Sequence, residues 1–266
     1  MAAIAGTSAG AVIGAMWLTL GDARRVMQRW QDFLASGFPS QLPEVRLTDE
    51  VSSRDNPLLS FAHKLQQGTQ VALALHRRSL VELADLQRAV DFLVPEEPIE
   101  KLRLPFAAVV TDFFTGEATA LRQGSLRQAV AASSAVPGVV PPYPLNDRYY
   151  LDGGVVAEVP VEEAARLAPR LVVAVDVGDL PDAAEDPQRI TVPRVLFRAS
   201  IMTHARLRKA LLAQAALTIT PQVWGIHWSE FTRLPEAVEA GRIAAKKAIH
   251  RLRVLAVAKS ERRAHR

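Results

Sequence analysis

A chain of 266 residues, 49% of them hydrophobic, is long enough to bury one sizeable core and reads as a single domain over residues 1–260 with a basic tail at 261–266. It has no cysteine, which excludes disulfides, thiolate metal sites and a cysteine nucleophile, and its six histidines show none of the spacings of a zinc site. The formal charge of +4 conceals an asymmetry: from Arg242 onward nine Lys and Arg side chains face the single acid Glu261, so the rest is net acidic and a general nucleic-acid binder is excluded.

The basic segment is read first as the solvated face of a terminal helix and second as peripheral contact with a membrane surface. No charge precedes Asp22. A secretory signal wants a basic start, however, and a membrane span wants unbroken apolarity, which Gly6, Thr7, Ser8, Gly10 and Gly14 interrupt. With neither export signal nor cysteine, the expected location is the cytoplasm.

In chain order, Ala2 to Ala5 predicts a short strand, Gly6 a tight turn, and Ala9 to Leu20 a helix closed by Gly21. Asp22 caps a second helix through Ala35, with Val26, Trp30, Phe33 and Leu34 at helical spacing. Residues 39–56 read as loop, and residues 57–93 as a helical insertion whose second helix opens on Ser79 and Glu82 in capping-box spacing. Leu104 to Val110 predicts a buried strand, Thr115 and Gly116 a turn into another, and Ser125 to Ser134 a short helix. Asn146 and Asp147 supply turn chemistry before Tyr149, Tyr150 and Leu151, which put Asp152 at a strand end. A helix from Pro160, a strand over Leu171 to Val177, an acidic surface loop at 180–189, a strand near Leu217 and a final helix complete an alternating pattern that implies α/β architecture.

GTSAG at residues 6–10 fits GxSxG in the strand, turn, helix context that gives a nucleophile elbow its meaning. The flanking glycines let the backbone turn sharply and present the Ser8 hydroxyl, and the Ala9 amide would face charge developing on a carbonyl oxygen. The structural alternative is that Gly10 and Gly14 let the helix approach the sheet. A serine hydroxyl needs a base within reach. His63, His76, His204, His227, His250 and His265 do not sit at strand ends, whereas Asp152 follows an aromatic strand and precedes Gly153 and Gly154. Partial burial there would raise its proton affinity toward useful basicity.

GTSAGA at 6–11 together with DGG at 152–154 resembles the patatin-like phospholipases, whose serine–aspartate dyad uses no histidine. The resemblance runs through VVTDFFTGEATALRQGSLRQAVAASSAVPGVVPP (109–142), VAVDVG (173–178), LTITPQV (217–223) and EAVEAG (236–241), and is weakest over 39–100. It implies a three-layer α/β/α fold with a mostly parallel central sheet. It also implies Ser8 as nucleophile, Asp152 as base, an elbow of Gly6, Ala9 and Gly10 supported by Gly153 and Gly154, no metal or cofactor, and a lipid acyl ester as substrate.

Two departures qualify the resemblance. The family's GGGxxG oxyanion loop lies upstream of the nucleophile, and here only seven residues precede Ser8, so Met1 is expected to be internal to a longer gene product. Losing an oxyanion donor costs about a hundredfold to a thousandfold in rate, so activity would be impaired. Ala157 and Glu158 also stand where many relatives carry asparagines. The alternative function is therefore a catalytically inactive lipid-binding or regulatory protein. A nucleotide-binding turn is disfavoured, because Gly6, Gly10 and Gly14 match neither GxGxxG nor a P-loop.

Overall fold

The computed structural model describes residues 1–38, 79–178, 192–226 and 230–264. The expected helix at 57–76 and the loop at 180–189 lie outside these residues, as do His63, His76, His227 and His265. Strand β1 (Ile4–Thr7) leads into helices α1 (Ala9–Leu20) and α2 (Ala23–Ala35), and α3 (Leu83–Leu93) follows. Then come β2 (Phe106–Asp112), β3 (Ala118–Leu121), α4 (Leu126–Ser133), β4 (Tyr143–Leu145) and β5 (Arg148–Asp152). Two short helices, α5 (Gly154–Ala157) and α6 (Val161–Ala165), precede β6 (Val173–Val175), α7 (Val192–Leu212), β7 (Leu217–Ile219) and α8 (Leu234–Ala264). The last helix therefore includes part of the segment expected as a tail. No described helix is long and apolar enough to cross a membrane.

Local chemistry explains the boundaries. Gly21 ends α1 in the left-handed region at φ 79° and returns its N–H to the Trp17 carbonyl. The Asp22 carboxylate accepts the Arg24 amide and opens α2, and the Ser125 hydroxyl accepts the Gln128 amide and opens α4. The expected capping box does not form. The amides of Leu80 and Val81 both bond instead to the Val139 carbonyl across a bend in the chain, and α3 begins after Glu82 without a side-chain cap.

All seven residues of β2 are buried. Phe106, Ala108 and Val110 share the main core with α1, α2, α3 and α4. Ala107, Val109 and Thr111 point the other way and are equally buried, on the side where α5 and α6 contact the strand. Removing a valine or phenylalanine side chain from water is worth about 1.5–3 kcal/mol, so this one strand anchors the fold.

The sheet is mixed rather than mostly parallel. In the main five-stranded sheet β1 pairs with β2 in parallel, whereas β2–β3, β2–β5 and β4–β5 are antiparallel; β6 and β7 pair in parallel as a separate two-stranded sheet. The cause lies in the connections. Between β2 and β3, the Asp112 carboxylate accepts the Phe114 and Thr115 amides and Gly116 adopts φ 72°. Between β4 and β5, Asn146 and Asp147 both take positive φ, 51° and 58°, as a two-residue hairpin turn requires. Such short links return the chain antiparallel.

Register then creates a junction. β3 overlaps both β1 and β5 along β2, so it occupies one edge, and β1 and β5 share the other. They meet head to head there, with Thr7 opposite Val109 and Asp152 opposite Val110.

Candidate active site

Ser8 follows Thr7 directly and caps α1 with φ 51° and ψ −123°, a conformation that L-residues other than glycine avoid. Serine at such a position commonly spends its hydroxyl on a helix amide; Ser8 does not. The turn is held from three sides. A Cβ on Gly6 would collide with the Gly10 carbonyl and the Ala11 nitrogen. The Ser8 amide donates to Ser133 Oγ at 3.0 Å, and that hydroxyl, fully buried, donates to the Val109 carbonyl at 2.6 Å. The Thr7 hydroxyl donates to the Ala157 carbonyl at 2.8 Å.

Asp152 reaches the same place from the opposite direction. Paired partners point to one face of a sheet, so its side chain shares the face of Val110, under the N-terminus of α1. Gly153 packs so tightly that a Cβ would strike the Val109 carbonyl. The Gly154 amide donates to Asp152 Oδ1 at 2.7 Å. Oδ2 is buried and has no hydrogen-bond partner of sound geometry. Burial pushes the Asp152 carboxyl up to about 6, against the pull of the nearby Ser8 hydroxyl and the Gly154 amide and with a small push from the Glu158 charge.

Ser8 and Asp152 are thus brought together, with Gly6, Gly153 and Gly154 shaping their turns. The Ala9 N–H heads α1, where an amide has no intrahelical partner and the helix dipole favours negative charge. Gly10 departs from the packing alternative, since a Cβ there would meet nothing within 4 Å. Gly14 fits it, with a Cβ placed 3.1 Å from Ile4 and Phe106 side-chain carbons. His204 and His250 lie on the long helices α7 and α8. Ser133, the Thr7 hydroxyl and Arg208 escaped the sequence reading; a lone serine on a short helix and a lone arginine on a long one give no spacing signal. Among the described residues no group of three or more His, Cys, Asp or Glu could hold a metal ion.

Fold and site together define an α/β protein with a strained serine elbow and a buried carboxylate at adjoining strand ends. The profile of the patatin-like phospholipase family matches residues 2–165, and the chain belongs to that family. An NTE family protein of Mycobacterium bovis is 29% identical over 130 residues, covering 44% of this chain and 36% of its own length. Another, from Mycobacterium tuberculosis, is 28% identical over 173 residues, covering 57% of this chain and 30% of its own. Patatin-like phospholipase domain-containing protein 6 of Mus musculus is 27% identical over 177 residues, 66% of this chain but 11% of that protein. The chain thus spans about a third of the mycobacterial relatives and a ninth of the mouse one. β6, β7 and α8, which the resemblance took in, lie beyond the family match.

Proposed function

We propose that the protein is a lipid acyl hydrolase that works through an acyl-enzyme on Ser8 with Asp152 as base. One observation carries this reading: a serine in strained backbone geometry, its hydroxyl not used as a helix cap, stands beside a carboxylate whose Oδ2 is buried and unpaired. A carboxyl held near 6 is largely ionised at neutral pH yet basic enough to share a hydroxyl proton.

The Ser8 oxygen would bond to the ester carbonyl carbon while its proton passes to Asp152, and the carbonyl electron pair moves onto oxygen, facing the Ala9 amide. Collapse restores the carbonyl, breaks the bond to the alkoxy oxygen and takes the proton from Asp152 onto the departing alcohol. Water then repeats the sequence on the acyl-enzyme, with Asp152 again accepting the proton, and releases a carboxylic acid and free Ser8. Family membership supports a lipid ester as substrate, and Gly10 leaves open space beside the elbow into which an ester could approach.

The test is active-site labelling with a fluorophosphonate, followed by ester turnover. Labelling at Ser8 that is absent in Ser8→Ala and retained in Ser36→Ala supports the proposal. Attachment at a different serine defeats it.

A further inference from the structure

Arg208 lies in the buried stripe of α7 and is itself only 7% exposed. A guanidinium so enclosed is stable only when its charge is met. Its Nη1 donates to Glu158 Oε1 at 3.0 Å, and its Nε lies 3.4 Å from Asp176 Oδ1. Asp176 is fixed in turn, its amide on the Ile219 carbonyl and its carboxylate on the Gly178 amide. Gly178 leaves room for the guanidinium, which a side chain at that position would strike. The far end of this cluster reaches the site. Glu158 follows Ala157, whose carbonyl takes the Thr7 hydroxyl, and Thr7 precedes Ser8. The turn from Asp152 to Glu158 is therefore tied to the elbow at one end and to α7 at the other.

We propose that Arg208 is a positioning residue for the Ser8–Asp152 pair: by gripping Glu158 it seats the turn that carries Asp152 against the elbow and offsets the charge of the carboxylate six residues along that turn. The proposal rests on the acyl-hydrolase reading of this site. Around Asp152, the elbow offers the Ser8 hydroxyl, β2 offers Val110 and the Thr111 hydroxyl on the Asp152 carbonyl, and the stretch just after α4 offers the Ala135 carbonyl to the Asp152 amide. Its own turn adds the Gly154 amide and the charge of Glu158.

The experiment follows the Asp152 carboxyl carbon by 13C NMR through a pH titration, alongside the pH dependence of fluorophosphonate labelling. In Arg208→Gln the Asp152 midpoint is expected to rise by about half a pH unit or more, and labelling at pH 7 to slow at least about tenfold. Adding Glu158→Gln should return the midpoint toward that of the parent, and Arg208→Lys should fall between. A merely structural arginine would lower the folded fraction without moving the midpoint of what remains folded. An unmoved midpoint in folded Arg208→Gln, or one equally displaced in the double variant, overturns the proposal. Should Arg208→Gln fail to fold, Glu158→Gln alone decides, since a midpoint that does not fall sinks the idea. Absence of Ser8 labelling in the parent protein would remove the acyl-hydrolase reading, while the titration still judges the clamp.

Discussion

The Ser133 hydroxyl accepts the Ser8 amide and donates to the Val109 carbonyl, so one buried oxygen joins the elbow, helix α4 and the central strand. Ser8 owes its unusual backbone angles in part to this bond, because the amide it satisfies would otherwise be stranded under the turn. Ser133→Ala leaves both the amide and the carbonyl without their partner at a fully buried position. The expected cost is about 1–3 kcal/mol in chemical denaturation. Labelling of Ser8 should slow more than this loss of folded protein explains.

Ser8 itself stores strain. At φ 51° and ψ −123° a Cβ is crowded, and glycine alone is relaxed there. Ser8→Gly and Ser8→Ala both remove the hydroxyl and should both end labelling. The glycine variant should nevertheless be more stable than the alanine variant by about 1 kcal/mol or more in urea unfolding. Equal stabilities would mean that the elbow carries no backbone strain.

Asp152 links stability and rate through one proton. In the folded protein the carboxyl holds its proton up to about 6, against an ordinary 3.8. Below 3.8 both states are protonated and nothing is lost. As pH rises through the interval the unfolded state gives up the proton that the folded state keeps, and by neutral pH, where both are ionised, the cost of holding a buried charge opposes folding by about 3 kcal/mol. Asp152→Asn should therefore be more stable than the parent at pH 8 and gain little at pH 4. Ester turnover of the parent should show the reverse dependence, rising as pH passes about 6, and should fall at least about a thousandfold in the amide variant.

The two glycines of the GxSxG motif should part company. Gly6→Ala drives a methyl group into backbone of α1, as does Gly153→Ala into β2, and each should destabilise by more than about 2 kcal/mol. Gly10→Ala meets open space in the first turn of a helix, where alanine is the better former, so thermal stability should hold or rise slightly. Any loss of turnover in Gly10→Ala would then report crowding of the substrate's approach.

The elbow and the Asp152 strand end were legible in the sequence because each is a local device: glycines where a Cβ will not fit, Asn146 and Asp147 where φ turns positive, and Asp22 and Ser125 where helices begin. The mixed sheet was less so. Alternation of strands and helices suggests parallel pairing, and only the brevity of the turns after Asp112 and Leu145 reverses it. The capping box failed for a non-local reason, since Val139, far along the chain, takes the amides of Leu80 and Val81. Ser133 and Arg208 were invisible because their significance lies wholly in what folding places beside them.

The head-to-head meeting of β1 and β5 has a consequence for how this chain can change. Side chains alternate along a strand, so losing or gaining one residue between the Asn146–Asp147 turn and Asp152 would swing the carboxylate through to the opposite side of the sheet. Replacing a residue in that stretch perturbs packing; altering their number reverses which way the acid points. In-frame indels there should be purged far more severely than point changes, a pattern that deep mutational libraries can read directly.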